Sequence, residues 1–146
     1  YEAAGPLKEM MEQRQIRLKI KREVWEGQET PADIRINADM QWTSEALINI
    51  LKDCLEHTPD QGTIQIEYGQ NPIYTQILIE DGGSGFSKKD LPHLFDRFYR
   101  GEQAAKDSAG IGLALSRLIL EAQNGHVHAE NSPAGHARFI VRLYKD

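Results

Sequence analysis

Residues 80–86 read Glu-Asp-Gly-Gly-Ser-Gly-Phe (EDGGSGF), and the rest of the chain is organised around them. The preceding run, residues 73–79 (IYTQILI), alternates apolar and polar side chains and predicts a buried strand. It leads into one carboxylate, Asp81, followed by three glycines, Gly82, Gly83 and Gly85. A carboxylate at a strand end, beside backbone bare of Cβ atoms, suits a flat ligand that offers a donor and sits close to the chain. An adenine ring with its exocyclic amine fits that description. Taken alone, the stretch reads equally as a plain strand-to-loop turn.

Three further motifs follow the same logic. A second glycine pair, Gly110 and Gly112, opens an apolar helical pattern, and helix-start amides receive anionic oxygens. Residues 95–101 (FDRFYRG) join the apolar anchors Phe95 and Phe98 to Arg97 and Arg100. Arginine grips phosphate oxygens in a fork and keeps its charge. A helix spanning about residues 40–57, capped by Asp39, has Leu47, Ile50, Leu51 and Cys54 on one core-facing stripe. Asn49, Asp53 and Glu56 fall on the opposite side, within about one sixth of the circumference.

These pieces resemble the ATP-binding catalytic domain of sensor histidine kinases, in the superfamily that also holds gyrase-type and heat-shock-chaperone ATPases. The motifs EALINILKDCLEHTP, EDGGSGF, LFDRFYRG and SAGIGLALS occur in the family's order, across about residues 16–143. One short glycine motif is weak; four in order are specific. The resemblance implies an α/β two-layer sandwich of the Bergerat type, a mixed β-sheet covered on one face by about three helices. It makes Asp81 the acceptor of the adenine amine, with Gly83 and Gly85 beside the base. Gly110, Gly112 and Leu113 then line the nucleotide, Arg97 and Arg100 approach the terminal phosphate, and Asn49 and Asp53 face Mg²⁺. The implied reaction is transfer of the ATP terminal phosphate to a histidine on a separate dimerisation domain, with ADP released. A response regulator is the implied next acceptor.

Two positions depart from the family. Asp53 stands where a second asparagine usually follows Asn49; a carboxylate is also a hard oxygen ligand. Glu56 stands where a lysine or arginine usually faces phosphate. One full charge at ~6 Å and an effective dielectric of ~20 is worth roughly 3 kcal/mol before screening. Two rivals stand beside the kinase reading: an anti-sigma-factor-type serine kinase of the same superfamily, whose length suits 146 residues, and a nucleotide-binding or docking module with little or no catalysis, which Asp53 and Glu56 keep open.

Composition sets the outer bounds. With 146 residues, 40% hydrophobic and 27% charged, the chain suits one soluble domain. A net charge of −5 argues against bulk nucleic-acid binding. One cysteine, Cys54, excludes an internal disulfide and reads as a core residue. No run of ~18 apolar residues offers a membrane span. The expected organisation is a segment over residues 1–15, leading in from a dimerisation domain, then the catalytic domain over residues 16–146. The resemblance implies a cytoplasmic domain of a membrane-anchored receptor, dimeric at full length and monomeric as this chain alone.

In chain order, Leu7, Met10 and Met11 predict one edge of a short helix, and residues 1–6 read as loose. Strands are expected near residues 16–20, 34–36, 63–68, 73–79, 127–130 and 137–143. Ser87 can cap a short helix through residue 95, with Pro92 limiting its regularity. Residues 101–109 read as a lid. A helix over residues 111–123 should turn Ile111, Leu115, Leu118, Ile119 and Ala122 inward and stop at Asn124-Gly125. The five histidines offer no metal spacing and no phosphoacceptor motif. Labelled ATP should therefore leave no acid-labile, base-stable phosphate on this chain alone; a phosphohistidine would reveal an overlooked acceptor.

Overall fold

The structure, a computed structural model, describes residues 5–22, 40–96 and 112–145. Its elements run α1 (Gly5–Arg14), β1 (Arg17–Arg22), α2 (Met40–His57), β2 (Thr63–Gln70), β3 (Tyr74–Glu80), α3 (Gly112–Ala122), β4 (Gly125–Asn131) and β5 (Ala137–Tyr144). The strands form one mixed sheet in the order β1-β2-β3-β5-β4, with β1 parallel to β2 and every other pair antiparallel. The expected two-layer α/β architecture is thus observed.

Strand alternation decides which face is covered. In β5, Ala137, Phe139, Val141 and Leu143 are buried, while their alternates are half-exposed. One core cluster joins Phe139, Val141 and Leu143 to Ile64 of β2, Ile79 of β3, Val127 of β4, Ala46, Ile50, Cys54 and Leu55 of α2, and Ile119 and Leu120 of α3. Leu7 of α1 and Ile16 extend it, with Met10 and Met11 packed alongside. α1 begins earlier than the sequence suggests because Pro6 lies in its first turn, where a missing N–H costs nothing.

α2 has the bounds its periodicity predicts, and its C-terminal carbonyls are satisfied from outside the helix. Arg14, the last residue of α1, donates Nη1 to Leu55 O at 2.6 Å, Nη2 to Thr58 O, and Nε to Asp60 Oδ1 at 2.7 Å. The β2–β3 hairpin forms as expected, but β3 starts at Tyr74 and leaves Ile73 exposed. Asn71 shortens the strand: its Oδ1 accepts the Ile73 and Tyr74 amides, both at 2.8 Å, and closes the turn.

Two expectations are corrected. Ser87 starts no regular helix. Its Oγ accepts the Asp90 amide at 3.1 Å, and only a single 3-10 turn follows at Leu91–His93. Pro92 has no N–H to return to the preceding turn. In α3 the buried residues are Ser116, Ile119 and Leu120, whereas Leu115, Leu118 and Ala122 are exposed. Ser116 Oγ donates to Ala46 O at 2.8 Å, and the two small side chains let α2 and α3 approach closely. That contact fixes the rotation of α3, which leucine spacing alone left open. The strand at residues 34–36, the Asp39 cap, the lid at 101–109 and the inward Ile111 lie outside the described residues.

The α3 rotation yields a paired test by chemical denaturation. Leu120→Ala should cost about 2–5 kcal/mol, and Leu118→Ala less than about 0.5 kcal/mol. Equal costs would mean that the helix is turned as leucine spacing suggests.

Candidate functional site

Asp81 follows the last residue of β3, yet its backbone N–H still bonds to Ala137 O at 2.9 Å. That pairing carries the side chain inward, where the residue is 2% exposed. Its Oδ1 accepts from the Gly83 amide at 2.9 Å and the Ala137 amide at 3.3 Å. Its Oδ2 is buried and meets no donor among the described residues. Burial pushes the carboxyl above its ordinary value, against the pull of those two amides and of His57 and His136. An orphaned carboxylate oxygen in a buried position calls for a donor from a ligand.

The glycine loop lies against α2 on one side and the β4–β5 turn on the other. A Cβ at Gly83 would sit 2.3 Å from His57 O, so only bare backbone passes there. Gly85 has φ +85°, and a Cβ on it would lie 2.6 Å from Gly135 O and 2.8 Å from Asn131 Oδ1. Gly82 N donates to Thr58 Oγ1 at 3.2 Å, and that hydroxyl donates to Cys54 O at 2.7 Å. The strand-to-glycine geometry read from the sequence is thus present, with backbone close to a buried carboxylate.

The last turns of α2 bring acidic groups to the same end. Asn49 is half-buried, the Asp53 side chain is 21% exposed, and Glu56 is exposed. His57, which the sequence reading assigned no role, donates Nδ1–H to Asp53 O at 2.8 Å and lies 3.6 Å from Asp53 Oδ2. Burial pushes the Asp53 carboxyl from about 3.8 up to about 6, with Glu56 and Asp81 acting the same way and His57 opposing. For His57, burial favours the neutral ring, but Asp53, with Asp81 and Glu56, raises the pKa overall. Cys54 is fully buried; burial first, then Asp81 and Asp53, push its thiol well above the ordinary value. It is no nucleophile.

α3 starts beside Asn49: a Cβ on Gly112 would lie 3.8 Å from Asn49 Cβ. The first amides of this 11-residue helix thus open next to the polar side of α2. Leu113, one residue on, packs half-buried against the core. Arg97, Arg100 and Gly110 lie outside the described residues. Gly83 and Asp81 thus lie by the last turns of α2 with Asp53, Gly112 lies beside Asn49 farther up the helix, and Gly85 lies under the β4–β5 turn.

Other features do not compete with this site. An apolar hollow of about 340 Å³ between α2 and β2–β3 is lined by Leu47, Leu51, Ile66 and Ile77 among others, without a charged group. His126 and His128 stack with centroids 5.7 Å apart, and the neighbouring Glu130 is held by Arg138. Among the described residues, no cluster of three or more His, Cys, Asp or Glu side chains is arranged to hold a metal.

The Asp53 shift has a definite sign. The folded form holds this proton more tightly than the unfolded chain, so its contribution to stability falls as pH rises from about 3.8 to about 6. His57 runs in parallel: its raised pKa stabilises the fold below pH 6.5 and that contribution is lost at higher pH. Asp53→Asn should therefore flatten the lower window and stabilise the nucleotide-free fold by about 1–2 kcal/mol near neutral pH. Urea unfolding with a chelator from about pH 4 to pH 8 reads it; identical profiles would mean Asp53 titrates as an ordinary aspartate.

Comparison with known proteins agrees with this geometry. The model of the histidine kinase-, DNA gyrase B-, and HSP90-like ATPase family matches residues 38–146. The signal transduction histidine-protein kinase BaeS of Escherichia coli K12 is 34% identical over 116 residues, covering 77% of this chain and 25% of that protein. The chain thus spans about a quarter of this relative's length. Among solved structures, the catalytic domain of histidine kinase ThkA superposes with a TM-score of 0.82 at 21% identity, covering 99% of this chain and 88% of that one. ThkA is also known in complex with the response regulator protein TrrA, with a TM-score of 0.77 at 20% identity, covering 99% of this chain and 39% of that one. With its buried strand-end carboxylate, glycine loop and helix-end polar groups in that fold, this chain belongs to the histidine kinase-, DNA gyrase B- and HSP90-like ATPase family.

Proposed function

We propose that this chain is the ATP-binding catalytic domain of a two-component sensor histidine kinase. It transfers the terminal phosphate of ATP to a histidine on the dimerisation domain of the same protein, from which residues 1–15 lead in. The acceptor imidazole forms the new N–P bond as the bond to ADP breaks, and ADP leaves. A response regulator takes the phosphate next; the complex of ThkA with TrrA supports that step by analogy. On this reading the chain is a cytoplasmic domain of a membrane-anchored receptor; among the described residues, no helix is long and apolar enough to cross a membrane.

The buried, unpartnered Oδ2 of Asp81 carries the reading. The adenine exocyclic amine satisfies it, and the Gly83 and Gly85 backbone lies against the base. The α3 start and the arginines Arg97 and Arg100 receive the phosphates. Asn49 and Asp53, one helical turn apart, supply the hard oxygens that suit Mg²⁺. A carboxyl held near pKa 6 by burial and by like charges gains from a cation beside it. When bound, Mg²⁺ neutralises phosphate charge. The chain's own part is positioning and electrostatic stabilisation, with no general base required of it.

Titrating ATP and ADP into wild type and Asp81→Ala tests the adenine assignment. Losing the carboxylate should weaken both by about ten- to a hundredfold, roughly 1–3 kcal/mol. Equal affinities remove Asp81 from the base site. Supplying the histidine-bearing domain should then produce phosphohistidine. Tight nucleotide binding without transfer favours the docking-module reading, which the exposed Glu56 and the carboxylate at Asp53 keep physically reasonable.

A further inference from the structure

Besides the Gly82 bond to Thr58 and the Gly83 bond to Asp81, the glycine loop is held by bonds from the β4–β5 turn. Asn131, the last residue of β4, forms a two-point bridge to the backbone of one loop residue. Its Oδ1 accepts the Phe86 amide at 2.7 Å, and its Nδ2 donates to the Phe86 carbonyl at 3.0 Å. This repeats, with a side-chain amide, the pairing that a neighbouring strand residue would make. His136, at the far end of the turn, places Nδ1 at 2.6 Å from Gly83 O. A carbonyl only accepts, so Nδ1 carries the proton.

The turn is self-supporting. Ser132 N donates to His136 O and Gly135 N to Ser132 O, both at 2.8 Å, while His136 N donates to Ser132 Oγ at 3.1 Å. Asn131 and Ala137 are themselves a registered pair of the β4–β5 ladder. The hairpin is therefore the template, and residues 83–86 are what it shapes. Asp81 is tied to the same template, because both its backbone and its Oδ1 pair with Ala137. Carboxylate and loop share one reference frame across 45 to 56 residues of chain.

We propose that Asn131 and His136 are positioning residues for nucleotide binding, holding the Gly83 carbonyl and Phe86 backbone so that the loop meets the adenine ring beside Asp81. The inference rests on the nucleotide reading of the site. Neither residue touches the phosphates in this assignment, so the base end alone should sense their loss. Preorganisation is the physical gain: a loop already in its bound shape spares the ordering cost at binding.

The test titrates ADP and ATP into wild type, Asn131→Ala, His136→Leu and His136→Asn. The first two should weaken both nucleotides by the same factor, about two- to tenfold. Asparagine carries an N–H donor at nearly the depth of Nδ1, so His136→Asn should recover most of the affinity. A merely structural role would lower thermal stability without that recovery. As a second readout, the Phe86 amide should exchange faster in Asn131→Ala without nucleotide, while the α2 amides stay protected. Nucleotide affinity unchanged in Asn131→Ala and His136→Leu overturns the inference, provided wild type binds ADP and Asp81→Ala weakens it. If wild type binds no ADP, the nucleotide reading itself fails and the positioning role falls with it.

Discussion

A single carboxylate, with one oxygen bonded and the other bare, is the constraint on which the rest of the site depends. Asp81 is carried below the surface by a backbone bond to β5, beyond the end of the regular β3 ladder. Two amides satisfy Oδ1, and nothing described satisfies Oδ2. Leaving a buried acceptor unpaired costs about 1–3 kcal/mol, more for a charged one. A fold that tolerates this cost has a use for the free oxygen. A donor brought by a ligand would recover it.

The neighbouring structure fixes the backbone that surrounds that oxygen. Gly83 passes against His57 O with no room for a Cβ, and Gly85 occupies left-handed backbone under Gly135 and Asn131. Thr58 links the Gly82 amide to the carbonyl of Cys54 inside α2. Arg14, at the end of α1, satisfies the carbonyls at the end of that helix, so α1 also closes the helix bearing Asp53. The loop is thus held from a helix end and from a hairpin turn, elements far apart in sequence.

Charge is the cost of this arrangement. Burial raises the Asp53 pKa, Glu56 and Asp81 add to that rise, and His57 only partly offsets it. Such crowding is unfavourable for an empty site. It becomes useful where a cation and donor groups are to be bound, because the repulsion is relieved on binding. The Asp53 carboxyl is pushed to about 6 first by burial and only then by this crowding.

Much of this was legible in order of residues alone. The glycine spacing at 82–85, the apolar stripe of α2 and the alternation in β2, β3 and β5 are local signals, set by the 3.6- and 2-residue periods. They placed Asp81 at a strand end and gave the α/β class, whereas the roles of Asn49 and Asp53 were implied only by the family resemblance. The rotation of α3 was not local: leucines at helical spacing allow several faces, and the buried Ser116–Ala46 contact between two helices chose one. His57 could have been noticed one turn after Asp53, since helix geometry brings i and i+4 together. Asn131 and His136 could not have been found that way. Their partners lie 45 and 53 residues away, and only the register of β4 on β5, and of β5 on β3, sets the turn beside the glycine loop. Local sequence specified the chemical groups; long-range strand pairing, which no periodicity encodes, decided which of them meet.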